Sequence, residues 1–179
     1  MKRIVWTFGL ISGAVLSAMM VLTLPFESFD DRGLIIGYTT MVLSFLLVYF
    51  GVRSYRDNVS NGSVSFGRAL AVGTLIVVIS SLCYVATWEV IYYKFRPDFA
   101  EQYAAYSIQQ AKQGGASEAE IQRKTQEMQQ FAERYKNPLF NSAMTFVEPL
   151  PVGLVIALFS AGVLRRKRER SGSLASSLA

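Results

Sequence analysis

The sequence predicts an all-α membrane protein: a four-helix transmembrane bundle with an extracytoplasmic helical hairpin between the third and fourth spans. Apolar residues make up 51% of the 179 residues. Charged residues make up 17%, whereas about a quarter is typical of soluble domains. The charged residues are also segregated, so that four long apolar stretches remain between them. We expect one integral-membrane domain over residues 1–170 and a disordered polar tail over residues 171–179.

Four stretches are long and apolar enough to cross a bilayer, at about residues 4–24, 34–52, 69–93 and 139–164. About 20 helical residues span a hydrocarbon core of about 30 Å. Because lipid offers no partners to backbone N–H and C=O groups, the spans should be helices. The first stretch exceeds the roughly 7–15 apolar residues of a signal-peptide core, so we expect it to remain as a span.

The distribution of basic residues predicts the orientation of the spans. One side carries ten basic residues against two acidic ones, and the other side carries eight against nine. Because basic residues concentrate in cytoplasmic segments, both termini should be cytoplasmic. The basic clusters adjoin membrane spans and lack interleaved aromatic residues, so we expect them to face the lipid bilayer and not to bind nucleic acid.

Turn and capping residues divide these helices from one another. Asp31 is expected to cap the second helix, and Ser65 or Gly67 the third. Asn61-Gly62 predicts a turn between those two helices.

Residues 98–136 form the one sizeable segment outside the spans and predict two helices. Aromatic residues share one face of the first helix, namely Phe99, Tyr103 and Tyr106. Gly114-Gly115 interrupts the pattern, and Ser117 with Glu120 forms a capping box that starts the second helix. Apolar residues then return on one side, at Ile121, Met128, Phe131 and Tyr135. We expect the two apolar faces to pack on each other, with the membrane surface or a partner protein as alternatives.

Small residues recur at about every fourth position within the spans, as at Gly9, Gly13 and Ser17, at Gly33 and Gly37, and at Gly153, Ala157 and Ala161. Such ridges allow two helix backbones to approach closely. We expect them to pack the helices of one chain together, and a homodimer interface is the alternative.

Glu148 is the first candidate binding residue, because an ionisable group within a span is costly and suggests a function. It lies about nine residues, or ~13 Å, from one end of the fourth span. Pro149 and Pro151 follow it and predict a helix break. Broken helices bind ligands near the midplane of transporters. The alternative is a kink in which Glu148 only caps the second half of the helix.

Glu89 is the second candidate, near the end of the third span. Trp88, Tyr92 and Tyr93 beside it resemble an interfacial aromatic belt.

The sequence has no histidine and a single cysteine, and it shows no paired nucleophile and base and no phosphate-binding glycine loop. We therefore predict no enzymatic activity, no metal site and no cofactor.

Several short motifs resemble a bacterial membrane family known as domain of unknown function 4199. They are the run 65–69 that enters the third span, Tyr92-Tyr93 and the run 95–99 that leave it, and the capping box followed by Met128. The similarity in layout covers nearly the whole chain. The resemblance implies a four-span protein of the bacterial inner membrane with a long loop between spans three and four. It implies no activity and no catalytic residues.

Two functions follow from these features. The first is an accessory or assembly protein that presents the amphipathic hairpin to a membrane-protein partner. The alternative is a small oligomeric transporter, or an ion- or proton-conducting protein, that uses Glu148 at the broken helix.

Overall fold

The structure, a computed structural model, describes residues 1–24 and 29–165, and these residues form an all-α bundle without strands. The helices are α1 (Lys2–Thr23), α2 (Asp31–Asn58), α3 (Phe66–Phe95), α4 (Phe99–Gln113), α5 (Glu118–Tyr135), α6 (Pro138–Val147) and α7 (Leu150–Leu164). Within these described residues there are four candidate membrane spans, formed by α1, α2, α3 and the pair α6–α7. The all-α prediction is confirmed, and the chain is a multi-pass membrane protein. The predicted tail over 171–179 and the basic residues of 166–170 lie outside the described residues.

The helices begin at residues whose side chains accept backbone N–H groups. Asp30, not the predicted Asp31, caps α2 by accepting from the N–H groups of Arg32 and Gly33, each at 3.1 Å. The cap has to precede the first helical residue with an extended backbone, and Asp30 has φ −84° and ψ 179°. Ser65 caps α3 as predicted.

The predicted Asn61-Gly62 turn and the predicted capping box are both present. Asn61 and Gly62 both have positive φ, at 50° and 77°, which is the backbone that an Asn-Gly turn favours. Ser117 and Glu120 satisfy each other's backbone N–H groups at the start of α5. The backbone N–H of Ser117 donates to Glu120 Oε2 at 2.8 Å, which lowers the pKa of that carboxyl group.

Helices α2 and α3 lie between α1 and α7 and contact both of them. Large side chains from α2 and α3 fill the centre, among them Phe45, Val48, Val72 and Ile76, none of which is accessible to solvent. Small residues let the neighbouring helices approach them. A Cβ atom on Gly9 or Gly13 would lie within 2.8 Å of Ile79 or Cys83 on α3.

The fourth span uses small residues in the same way. A Cβ atom on Gly153 would lie 2.5 Å from Val77, and Ala157 packs against Gly73, so both residues fit against α3. The ridges of α1 and α7 therefore make their contacts within the chain. The homodimer interface that the sequence allows stays a prediction.

Hydrogen bonds from hydroxyl groups join neighbouring spans. Ser12 Oγ on α1 donates to the carbonyl of Ser44 on α2 at 3.0 Å. Ser80 Oγ on α3 donates to the carbonyl of Gly9 at 3.1 Å, and Thr87 Oγ1 donates to Ser17 Oγ at 2.8 Å. Each bond joins two neighbouring helices.

The hairpin formed by α4 and α5 packs on the end of α3 through its aromatic residues. Phe131 and Tyr135 contact each other with ring centroids 5.3 Å apart, and Tyr135 lies 5.4 Å from Tyr92. Trp88 and Tyr92 are consequently buried, with 7% and 3% exposure. The predicted aromatic belt is thus wrong for these two residues, because the hairpin covers them, whereas Tyr93 is 48% exposed.

Candidate functional site: a cleft at the broken helix

The fourth span is broken at Glu148 and Pro149, where α6 ends and α7 begins. Both residues keep helical backbone angles, but Pro149 and Pro151 supply no N–H group to the helix. The two halves have different neighbours. Helix α7 packs against α2 and α3, whereas α6 packs against α3 and α5. The break thus changes the partners of the fourth span halfway along its length.

A cleft of about 290 Å³ lies in the hairpin half of the bundle, beside this break. Its walls come from α1, α2, α3, α4 and Phe29. The lining residues are Leu16, Met20, Thr23, Leu24, Phe29, Gly33, Leu34, Ile36, Gly37, Tyr38, Thr40, Met41, Tyr84, Trp88, Phe99, Tyr103 and Glu148. The lining is largely apolar and aromatic, and the volume is at the small end of the range of roughly 300–1,000 Å³ for ligand sites.

Glu148 contributes the carboxyl group of this cleft. Tyr84 Oη, from the middle of α3, donates a hydrogen bond to Glu148 Oε2 at 3.2 Å. Tyr84 is 9% exposed, while Glu148 is an exposed residue of the chain. The carboxyl group is thus oriented by a buried tyrosine and still accessible from the cleft.

Glu89 occupies a different environment. It is half-buried, and its Oε1 accepts a hydrogen bond from Ser142 Oγ on α6 at 2.6 Å. It does not line the cleft. Of the two predicted binding residues, Glu148 lines this cleft and Glu89 does not.

A polar face of α6 continues from Glu148 towards the hairpin. Asn141 and Thr145 are buried on it, and Thr145 Oγ1 donates to Asn141 Oδ1 at 3.3 Å. The Nδ2 atom of Asn141 has no hydrogen-bond partner among the described residues. Trp88 Nε1 donates to Tyr135 Oη at 3.0 Å in the same region. Polar side chains thus line the contact between α6, α3 and the hairpin.

Besides Glu120, two groups of the hairpin have shifted pKa values. Burial raises the pKa of Tyr135 to about 12. Hydrogen bonds to Glu133 and Glu101 raise the pKa of the exposed Lys136, whose Nζ lies 2.9 Å and 3.3 Å from their carboxylate oxygens. The Glu101 contact ties α4 to the end of α5 above the aromatic cluster.

The described residues contain no group of three or more His, Cys, Asp or Glu side chains that could hold a metal ion. The described residues that line the cleft offer one carboxyl group, phenolic hydroxyls and aromatic rings.

Comparison with known proteins places the chain in a family. A family model described as "Protein of unknown function (DUF4199)" matches residues 7–166. The chain belongs to the DUF4199 family. The resemblance drawn from the sequence is confirmed, and the match includes every residue of the cleft. No curated protein and no solved structure matches this DUF4199 protein.

Sequence reasoning missed the cleft itself and the partners of both carboxylates. Tyr84 was recognisable only as one polar residue on α3, 64 positions from Glu148. The one feature of the sequence that could have indicated the cleft was the pair Gly33 and Gly37. A Cβ atom on Gly37 would have no neighbour within 4 Å, so this part of the predicted packing ridge borders the cleft instead of another helix.

Proposed function

We propose that this DUF4199 protein binds a small lipophilic molecule in the cleft, with the Glu148 carboxyl group as its polar anchor. The observation that carries the proposal is the position of this carboxyl group within a mostly apolar cavity. Ligand sites typically combine apolar walls with a few placed polar groups. The proposal develops the transporter alternative and includes no chemical step on the ligand.

The membrane setting supports this function. We infer a location in the bacterial inner membrane, with both termini in the cytoplasm and the hairpin outside. The described residues at the end opposite the hairpin include six basic residues against the single acidic Asp57, namely Lys2, Arg3, Arg53, Arg56, Arg68 and Arg165. The cleft then lies at the level of the outer leaflet, from which a lipophilic molecule would enter.

The accessory or assembly role has less support. Its motivation was an amphipathic hairpin with apolar faces available to a partner. Phe99, Tyr103 and Tyr106 instead surround Phe29, with ring centroids 5.4–5.7 Å away. Phe131 and Tyr135 are in the aromatic cluster over α3. A partner would therefore need the polar face of the hairpin, and this role stays a prediction.

The experiment fills the cleft without disturbing the core. In Gly37→Leu the new side chain starts in open space at the cleft wall. Gly162→Leu is the matched control, because Gly162 on α7 also has no neighbour within 4 Å of an added Cβ and lies outside the cleft. Each protein is extracted in polymer-bounded native lipid particles, and its co-purifying small molecules are compared by mass spectrometry.

We expect a molecule that accompanies the wild type and Gly162→Leu and is depleted at least about tenfold in Gly37→Leu, because the cleft is too small to hold both the side chain and a ligand. Equal small-molecule content in all three proteins would contradict binding in the cleft. Thermal unfolding of the two variants verifies that both are folded.

A further inference from the structure

We propose that the ligand of this cleft is a lipophilic organic cation, an amine or quaternary ammonium with an apolar body. The inference rests on the proposed binding function and adds the charge of the ligand. Three properties of the cleft carry it: its acidic side chain, its aromatic walls and its size.

The acidic side chain of the cleft is Glu148, and no Lys or Arg is present among the described residues that line it. A cation entering from lipid would pair with the Glu148 carboxylate and favour that form of the group, because charge interactions are strong in a surrounding of low dielectric constant. An anionic ligand would find no basic side chain among these lining residues to receive it.

Aromatic rings surround the same space. Six of the lining residues are aromatic, namely Phe29, Tyr38, Tyr84, Trp88, Phe99 and Tyr103. Phe99 and Trp88 meet edge to face, with centroids 4.8 Å apart and an interplanar angle of 78°. Tyr103 and Phe29 meet in the same manner at 5.7 Å. Aromatic faces attract organic cations by about 0.5–2 kcal/mol per contact and form the cages that bind quaternary ammonium groups.

The volume limits the ligand to a small body. About 290 Å³ suits a compact molecule and is too small for the headgroup and both chains of a phospholipid. The amine of a zwitterionic lipid would also bring its phosphate next to Glu148. The cleft therefore favours a free lipophilic cation over the lipids of the bilayer.

The test compares two probes of the same shape, phenyltrimethylammonium and its uncharged isostere tert-butylbenzene. The protein is held in nanodiscs of phosphatidylcholine. It carries Trp6→Phe, which leaves Trp88 as the one remaining tryptophan of the two. Trp6 is 57% exposed, so its replacement leaves the core intact, while Trp88 in the cleft wall reports occupancy through its emission.

We expect the cation to quench the emission of Trp88 in a saturable manner. The neutral isostere should bind about tenfold more weakly, because it lacks the charge and the cation–π contacts. Glu148→Gln should weaken cation binding about tenfold and leave the neutral probe unchanged. Glu89→Gln is the matched control, because that carboxylate faces Ser142 outside the cleft, and it should bind as the wild type does.

Each other outcome overturns the inference. Equal binding of both probes, with no effect of Glu148→Gln, would remove the cation preference and leave the proposed binding function standing. Absence of saturable binding by the cation would also refute the cation assignment. The small-molecule comparison of Gly37→Leu with Gly162→Leu then decides separately whether the cleft binds anything.

Discussion

The two carboxylates within the spans differ in what surrounds them. Glu148 borders the cleft and accepts from the buried Tyr84 hydroxyl, whereas Glu89 accepts from Ser142 between α3 and α6. A buried polar group is stable only when it is hydrogen-bonded. Glu89 is thus satisfied by the helix contact in which it lies, while Glu148 is an exposed residue that lines the cleft.

Tyr135 has a structural role that the sequence did not assign to it. Its hydroxyl accepts from Trp88 Nε1, and its ring fills the aromatic cluster beneath the hairpin. An unfolded tyrosine ionises at about pH 10, whereas Tyr135 keeps its proton to about pH 12 in the fold. The protonated Tyr135 side chain therefore contributes fully to the free energy of unfolding below pH 10. This contribution is lost as the pH rises through 12.

We predict that Tyr135→Phe lowers the free energy of unfolding at neutral pH by about 1–3 kcal/mol, because the buried Trp88 Nε1 loses its acceptor. The difference in the free energy of unfolding between the variant and the wild type should narrow between pH 10 and pH 12. The reason is that ionisation of Tyr135 in the unfolded chain lowers the stability of the wild type only. Thermal and denaturant unfolding in detergent measures both effects. Tyr93→Phe, at a 48% exposed position, serves as control, and a pH-independent difference would count against this account.

At the scale of helices, the fold depends on where the backbones of neighbouring helices approach each other closely. Gly9 and Gly13 bring α1 onto α3, and Gly153 brings α7 onto the same helix from the other side. Hydroxyl-to-carbonyl bonds, such as that from Ser80 to Gly9, form at these close approaches. In lipid, close packing and such hydrogen bonds drive helix association, since burial from water no longer contributes.

We predict that Gly13→Leu destabilises the protein by at least about 2 kcal/mol, because overpacking a filled helix contact forces the helices apart. Its Cβ alone would lie 2.7 Å from Cys83 Cβ and 3.2 Å from the backbone of Ser80. Gly162→Leu makes the same change in open space and should unfold near the wild-type temperature. Equal unfolding temperatures for the two variants would show that α1 does not pack as described.

At the scale of the whole molecule, the hairpin and the loop between α2 and α3 lie at opposite ends of the bundle. The chain reaches the hairpin after three spans and the loop after two. Together with the clustering of basic residues, this order predicts that the loop is cytoplasmic and the hairpin external.

We predict that Gln113→Cys at the hairpin turn reacts with a membrane-impermeant maleimide in intact cells. Asn58→Cys, in the matched exposed position at the opposite end, should react only after the membrane is permeabilised. Both substitutions are made with Cys83→Ala, since Cys83 is the single native cysteine. The reverse pattern of labelling would invert the proposed orientation and place the cleft in the inner leaflet.

Much of the fold was predictable from residues close together in the chain. The lengths of the four apolar stretches, the capping box at Ser117 and Glu120, and the proline pair after Glu148 are local signals, and each appears where it was expected. Such features depend on helix geometry and on the absence of water in lipid, which act on any sequence in the same way.

The tertiary structure alone decided which of these residues meet. Tyr84 and Glu148 are 64 positions apart, and Trp88 and Tyr135 are 47 apart; no periodicity within a single helix specifies such pairs. The same small-residue spacing packs Gly13 against a helix and leaves Gly37 at the edge of a cavity. Only the relative position of neighbouring helices distinguishes these outcomes, and that position results from the packing of all of them together.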